Sequence, residues 1–213
     1  MREASKMRFP ELQSGFSLTD IDAVVFDLDG TLAHSNPDFA GLRAELGIPP
    51  GTDILAHLHS LQGKPEFEAA SAIVHRYEMD SSAKACWIDG ARELVLHLQH
   101  QGLPLGILTR NIREAAQLTL SRLELSLEWV LTREDAPAKP DPAGLRHICQ
   151  AWQLAPARVL YLGDYLFDVQ TATNAGCRSG LYWPGEAPLP GYATQADMLV
   201  PCYHGLKACW PGN

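Results

Sequence analysis

Short apolar runs alternate along this chain with amphipathic stretches of helical period, and a parallel sheet covered on both faces is the architecture that best buries such a pattern. The strand candidates are Ala23 to Phe26, Leu103 to Leu108, Trp129 to Leu131, Val159 to Leu162, Ser179 to Trp183 and Met198 to Val200. The expected fold class is therefore α/β, with a Rossmann-like parallel sheet.

The interval between the first two runs far exceeds the dozen or so residues that a crossover needs, which predicts a small inserted helical subdomain. Asn36-Pro37 reads as an N-cap and first helical residue, with Phe39, Leu42 and Leu46 on one face and Gly47 ending the run. A second helix starts at Thr52 and closes at Gly63. A third starts near Pro65, carries Phe67, Ala70, Val74 and Tyr77 on one stripe, and gives way to a polar return from Asp80 to Lys84. The expected division is a core of residues 18–33 and 87–213 and a helical cap of residues 34–86. The tail after Pro201 carries no readable signal.

Of the 213 residues, 46% are apolar and 20% charged, which suits one compact domain with a modest insertion and excludes a disordered chain. No apolar run reaches membrane-spanning length, and the basic residues Arg2, Lys6 and Arg8 precede no signal-like stretch, so a soluble protein with no membrane partner is expected. Seventeen basic against 25 acidic side chains give a net charge of -8, which disfavours nucleic acid. An anionic substrate must then be attracted locally, by a metal ion or a few placed cations. Five cysteines without C-x-x-C spacing fit a reducing cytoplasm.

In an open parallel sheet the ligand crevice lies at the carboxyl ends of the strands, so polar residues that directly follow strands are the site candidates. Asp27 and Asp29 follow the first strand and precede Gly30, which permits a tight turn. Two carboxylates held so close repel unless a cation or a shared proton joins them; an acidic surface turn is the competing reading. Thr109 ends the second strand, and Asn111-x-x-Glu114 reads as a capping box, which accounts for Asn111. Lys139 precedes Pro140-Asp141-Pro142, a helix start with Leu145, Ile148, Cys149 and Trp152 inward. Asp164 and Asp168 follow the fourth run after Gly163, at the head of a helix ending near Gly176.

These residues, in this order, resemble the four motifs of the haloacid dehalogenase superfamily. Phe26 to Leu32 is similar to its Asp-x-Asp-Gly-Thr-Leu phosphatase signature, Thr109 to its second motif, Lys139 to its third, and Gly163-Asp164 with Asp168 to its Gly-Asp-x-x-x-Asp fourth. The resemblance implies Asp27 as nucleophile, Asp29 as general acid and base, Thr109 and Lys139 as phosphoryl holders, and a Mg²⁺ ion held by Asp27, the Asp29 main-chain carbonyl, Asp164 and Asp168. It implies a phosphatase acting on a small phosphorylated metabolite, similar to phosphoglycolate phosphatases, through an aspartyl-phosphate.

An acid at Asp29 favours ester over halide chemistry, because an alkoxide must be protonated as it leaves. A sugar-phosphate mutase shares all four motifs and stays open as an alternative, as does a phospho-receiver or silent binding protein. No G-x-G-x-x-G follows the first strand, which disfavours a nucleotide-cofactor oxidoreductase. His57, His59, His97 and His100 form no zinc pattern. His34 stands where relatives commonly carry an acid, and Tyr165 where many carry a small Ser or Thr.

Overall fold

The structure, a computed structural model, describes residues 8–185 and 187–212. Strands β1 (Glu11–Leu12) and β2 (Ala23–Phe26) precede a ribbon of β3 (Ala33–His34) and β4 (Cys86–Trp87), which brackets three helices: α1 (Phe39–Glu45), α2 (Ile54–Leu61) and α3 (Phe67–Ser82). After α4 (Ala91–His100) the chain alternates through β5 (Leu105–Leu108), α5 (Arg113–Leu123), β6 (Trp129–Leu131), α6 (Ala143–Ala151), β7 (Val159–Gly163), α7 (Leu166–Ala175), β8 (Arg178–Tyr182), β9 (Met198–Val200) and α8 (Tyr203–Cys209).

Seven strands form one sheet in the order β1-β9-β8-β7-β2-β5-β6, parallel throughout except for β1 against β9. The period of two along each strand divides the core. Val24, Phe26, Ile107, Leu160 and Leu162 pack with Leu94 and Leu98 of α4 and Tyr203 of α8. Ala23, Val25, Leu108 and Tyr161 belong to a second cluster with Leu145 and Ile148 of α6 and Ala172 of α7. β2 sits between β7 and β5, so connections leave its carboxyl end in both directions; that end is the crevice of an open parallel sheet.

The expected strands are present with small shifts. β5 begins at Leu105, because Pro104 has no N–H for the ladder; its carbonyl instead accepts from Val24. The first inserted helix is capped by Asp38, whose side chain accepts the Gly41 N–H, and not by Asn36. Asn36 has a φ of 46°, whereas an N-cap residue needs extended backbone. Asp53, not Thr52, caps α2, accepting from the Leu55 and Ala56 N–H groups. α3 runs on to Ser82 through the stretch expected to be a linker, burying Ser81 and Ser82. The tail that looked uninformative forms α8, whose Tyr203 stacks on Tyr182 at 4.2 Å and donates its hydroxyl hydrogen to the Thr31 carbonyl.

Candidate active site

Three of the candidate residues stand directly after strands of the sheet. Asp27 directly follows β2, Thr109 follows β5, Asp164 follows β7, and Lys139 lies in the segment between β6 and α6. All four line one cavity of about 390 Å³, together with Asp29 and Asp168.

Lys139 is the hub. Its ammonium, 5% exposed, donates to Asp27 Oδ1 at 2.7 Å and to Asp168 Oδ1 at 2.6 Å. Asp168 is itself buried and accepts from the Tyr161 hydroxyl at 3.1 Å and, through Oδ2, from the Tyr165 N–H at 3.0 Å. The last contact ties Asp168 to the first turn of α7, so it both anchors that turn and orients the ammonium. Burial alone would lower the Lys139 pKa, but the two carboxylates raise it to about 12, so the ammonium stays charged.

Asp27 lies in the opposite situation. Burial pushes its carboxyl up, Lys139 pulls it back, and the nearby Asp168 charge raises it again, to about 7. The Asp164 carboxyl is raised well above its ordinary value by burial and then by Asp27 and Asp168. Carboxylate oxygens of Asp27, Asp164 and Asp168 lie within 4.8 Å of one another. Three carboxylates against one ammonium leave two negative charges uncompensated in a shielded crevice, which a hard divalent cation with oxygen ligands would neutralise.

Two glycines make the cluster possible. Gly30 has a φ of 82°, and a Cβ there would overlap the Asp164 carboxylate; a Cβ at Gly163 would overlap that of Asp168. The donor set and the room kept for it therefore fit a Mg²⁺-type ion.

Asp29 is held apart from this cluster. Its carboxyl accepts from the Ser35 hydroxyl and from the Asn111 amide, both at 2.5 Å. Burial pushes its pKa up, opposed by these two hydrogen bonds and by Lys139. Both of these donors are uncharged, unlike the ammonium that faces Asp27.

Here the structure corrects the capping-box reading. α5 begins at Arg113 after Ile112 with no side-chain cap, the Asn111 amide reaches Asp29, and Glu114 pairs with His75. A capping box satisfied only local backbone needs, whereas Asn111 answers a buried carboxyl 82 positions away. Ser35, also missed in the sequence, is fixed in turn by Ser81 of α3, whose hydroxyl donates to the Ser35 carbonyl at 3.0 Å. Thr109 is buried, and its Oγ1 accepts the Asn111 N–H at 3.2 Å, which turns the chain at the end of β5. His34 lies on the exposed ribbon beside Asn36, outside the cavity.

Fold and site together define a class: an α/β enzyme whose strand-end carboxylates surround one buried ammonium at the floor of one cavity. The haloacid dehalogenase-like hydrolase model matches residues 21–176, and the chain belongs to that family. It is 33% identical over 200 residues to a haloacid dehalogenase-like hydrolase domain-containing protein of Arabidopsis thaliana, covering 85% of this chain and 80% of that protein. It is 32% identical over 218 residues to a phosphoglycolate phosphatase of Cereibacter sphaeroides, covering 87% and 99%. Its fold matches the crystal structure of a predicted phosphoglycolate phosphatase from Haemophilus somnus with a TM-score of 0.70 at 20% identity, over 89% and 98% of the two chains. The chain is a phosphatase of that family.

Proposed function

We propose that this chain is a Mg²⁺-dependent phosphatase that hydrolyses a small phosphate monoester through an aspartyl-phosphate on Asp27. The observation that carries this reading is the separation of two carboxyls two residues apart. Asp27 faces Lys139 and the acid cluster, while Asp29 is held by Ser35 and Asn111. One is placed to attack and the other to exchange a proton.

In the first displacement an Asp27 oxygen bonds to phosphorus as the bond to the leaving alkoxide breaks, and Asp29 gives that oxygen its proton. In the second, Asp29 takes a proton from water as the water oxygen bonds to phosphorus and Asp27 is released. Lys139 offsets negative charge on the phosphoryl oxygens, and the Thr109 hydroxyl holds one of them. Asp27, Asp164, Asp168 and the Asp29 carbonyl would hold the metal, with Asp168 also fixing Lys139. When bound, the ion neutralises the repulsion between nucleophile and phosphate.

In this reading residues 34–86 are the cap and residues 18–33 and 87–213 the core. Five cysteines, odd in number and without C-x-x-C spacing, support a reducing, cytoplasmic setting. No described helix is long and apolar enough to cross a membrane.

Steady turnover of p-nitrophenyl phosphate, lost in Asp27→Asn and in excess chelator and restored by Mg²⁺, is the expected result. Wild-type rates from Asp27→Asn, or full activity without a divalent ion, would refute the mechanism. Rapid quenching followed by peptide mass analysis should find the phosphoryl group on the peptide that contains Asp27.

A further inference from the structure

Resting on the phosphatase reading above, the walls of the cavity carry information about the alcohol that leaves. Its floor is the acid cluster. Its sides come from the inserted helices, through Phe39, Leu42, Ile54, Leu55 and Val74, and from the head of α7, through Tyr165 and Phe167. Two of these aromatic rings are held open to solvent: Phe39 is 51% exposed and Tyr165 53% exposed. Exposed aromatic faces on two separate segments that line one cavity are surface that a ligand would cover. Tyr165 is also braced, edge-on to Phe167 at 5.3 Å and to Tyr192 at 6.2 Å, so its ring is presented in a fixed orientation.

The charges of the lining argue in the same direction. Seven carboxylates and three cations line the cavity among the described residues. Each cation is already engaged. Lys139 holds Asp27 and Asp168. One Arg110 nitrogen reaches both Asp53 oxygens at 2.7 and 2.8 Å, with the guanidinium 4.6 Å from the Phe167 ring centre. Arg43 donates to the Thr52 carbonyl at 3.0 Å and the Phe39 carbonyl at 3.3 Å. A second anionic group on the substrate would meet a wall on which carboxylates outnumber cations seven to three. At about 390 Å³ the cavity also lies in the range of about 300–1,000 Å³ that takes ring-sized organic ligands.

We propose that the substrate is a phosphate monoester of an uncharged, ring-bearing alcohol, its ring covered by Phe39 and Tyr165, and not of a small carboxylate such as glycolate. The apolar side chains exclude water from the ring, and the remaining lone pairs of the lining carboxylates accept hydrogen bonds from hydroxyls on it.

Two pairs of unactivated esters separate the two parts of this proposal in the Mg²⁺-loaded full chain. Benzyl phosphate against ethyl phosphate tests the ring, and 2-hydroxyethyl phosphate against phosphoglycolate tests the charge at equal size. The expected kcat/KM ratios are about tenfold or more in favour of the ring and of the neutral ester. Phe39→Ala and Tyr165→Ala should each lower the benzyl-to-ethyl ratio about three- to tenfold. Both side chains are half exposed, so the variants should melt close to wild type. Phosphoglycolate turned over as well as or better than benzyl phosphate, or a benzyl-to-ethyl ratio unmoved in both variants, would overturn the inference alone. If no ester is hydrolysed, p-nitrophenyl phosphate included, the phosphatase reading falls and takes this inference with it.

Discussion

The crevice at the sheet's end and the helices laid over it are held by different forces. In the crevice, Lys139, Asp27 and Asp168 are joined with side chains 4%, 10% and 3% exposed, on segments anchored by two apolar clusters. The inserted helices contribute less core: α2 has no buried residue, α1 only Leu42, and α3 the apolar pair Ala70 and Val74. Polar ties also join them to the core, Asp53 to Arg110, Glu78 to Arg133 and His75 to Glu114. Buried charge pairs lose much when one partner is removed, whereas screened pairs lose little. In the proposed reading, the chemistry thus sits in the more deeply buried region and selection of the substrate in the more exposed one.

The largest difference between the two should appear on truncating Lys139. Lys139→Met leaves Asp27 and Asp168 buried without their common cation, and a loss of about 3–5 kcal/mol is expected by denaturant titration in chelator. A loss below about 1 kcal/mol would put this ammonium in the same energetic class as the ties of the insertion. Asp29→Asn should spare stability but reduce kcat about 100-fold on alkyl phosphates and clearly less on aryl phosphates, whose leaving groups need no proton. Equal losses on both ester types would remove its acid role.

The same contrast governs what the sequence discloses. Asp27, Thr109 and Asp164 were legible because each directly follows an apolar run, and strand ends in a parallel sheet converge on one crevice. Lys139, eight residues past β6, was legible only through its resemblance to the third motif. Asn111 and Ser35 were not, because a polar residue in a turn already has a local explanation. Nothing near Asn111 in the chain reveals that its amide serves Asp29. The inserted helices were legible as helices from their apolar spacing, but their cap residues slipped by one or two positions. Their placement over the site depends on pairs such as Asp53 and Arg110, 57 residues apart, which leave no periodic trace. α8 escaped notice because seven residues carry too little pattern to stand out from loop.

Acid–base linkage gives a smaller, continuous test of the crevice. Folded Asp27 keeps its proton up to about pH 7, while an unfolded aspartate releases it near 3.8. Between those values the folded chain binds more protons, so stability in chelator should fall as pH rises from 4 to 7 and level off above. The raised Asp29 and Asp164 carboxyls act in the same direction. A divalent ion binds the deprotonated cluster, so Mg²⁺ should raise the melting temperature more at pH 8 than at pH 5. Melting curves that are flat with pH in chelator would show that the cluster is not shielded.

The smallest effect belongs to the tie between Asp53 and Arg110, whose side chains are 25% and 27% exposed. Arg110 and the α2 N–H groups overcome the effect of burial and hold the Asp53 carboxyl below its ordinary pKa. The coupling is therefore complete above the unfolded value near 3.8 and lost as pH falls through the lower folded one. Asp53→Asn keeps an N-cap oxygen for α2 while removing the charge, so a double-mutant cycle with Arg110→Gln isolates the ion pair from the cap. Solvent and salt screen a pair this exposed, which puts the coupling at about 1 kcal/mol or less and shrinking at high ionic strength. A coupling of the size expected for Lys139 would mean that the insertion is clamped as firmly as the crevice beneath it, and the distinction between a fixed chemical floor and a separable wall would not hold.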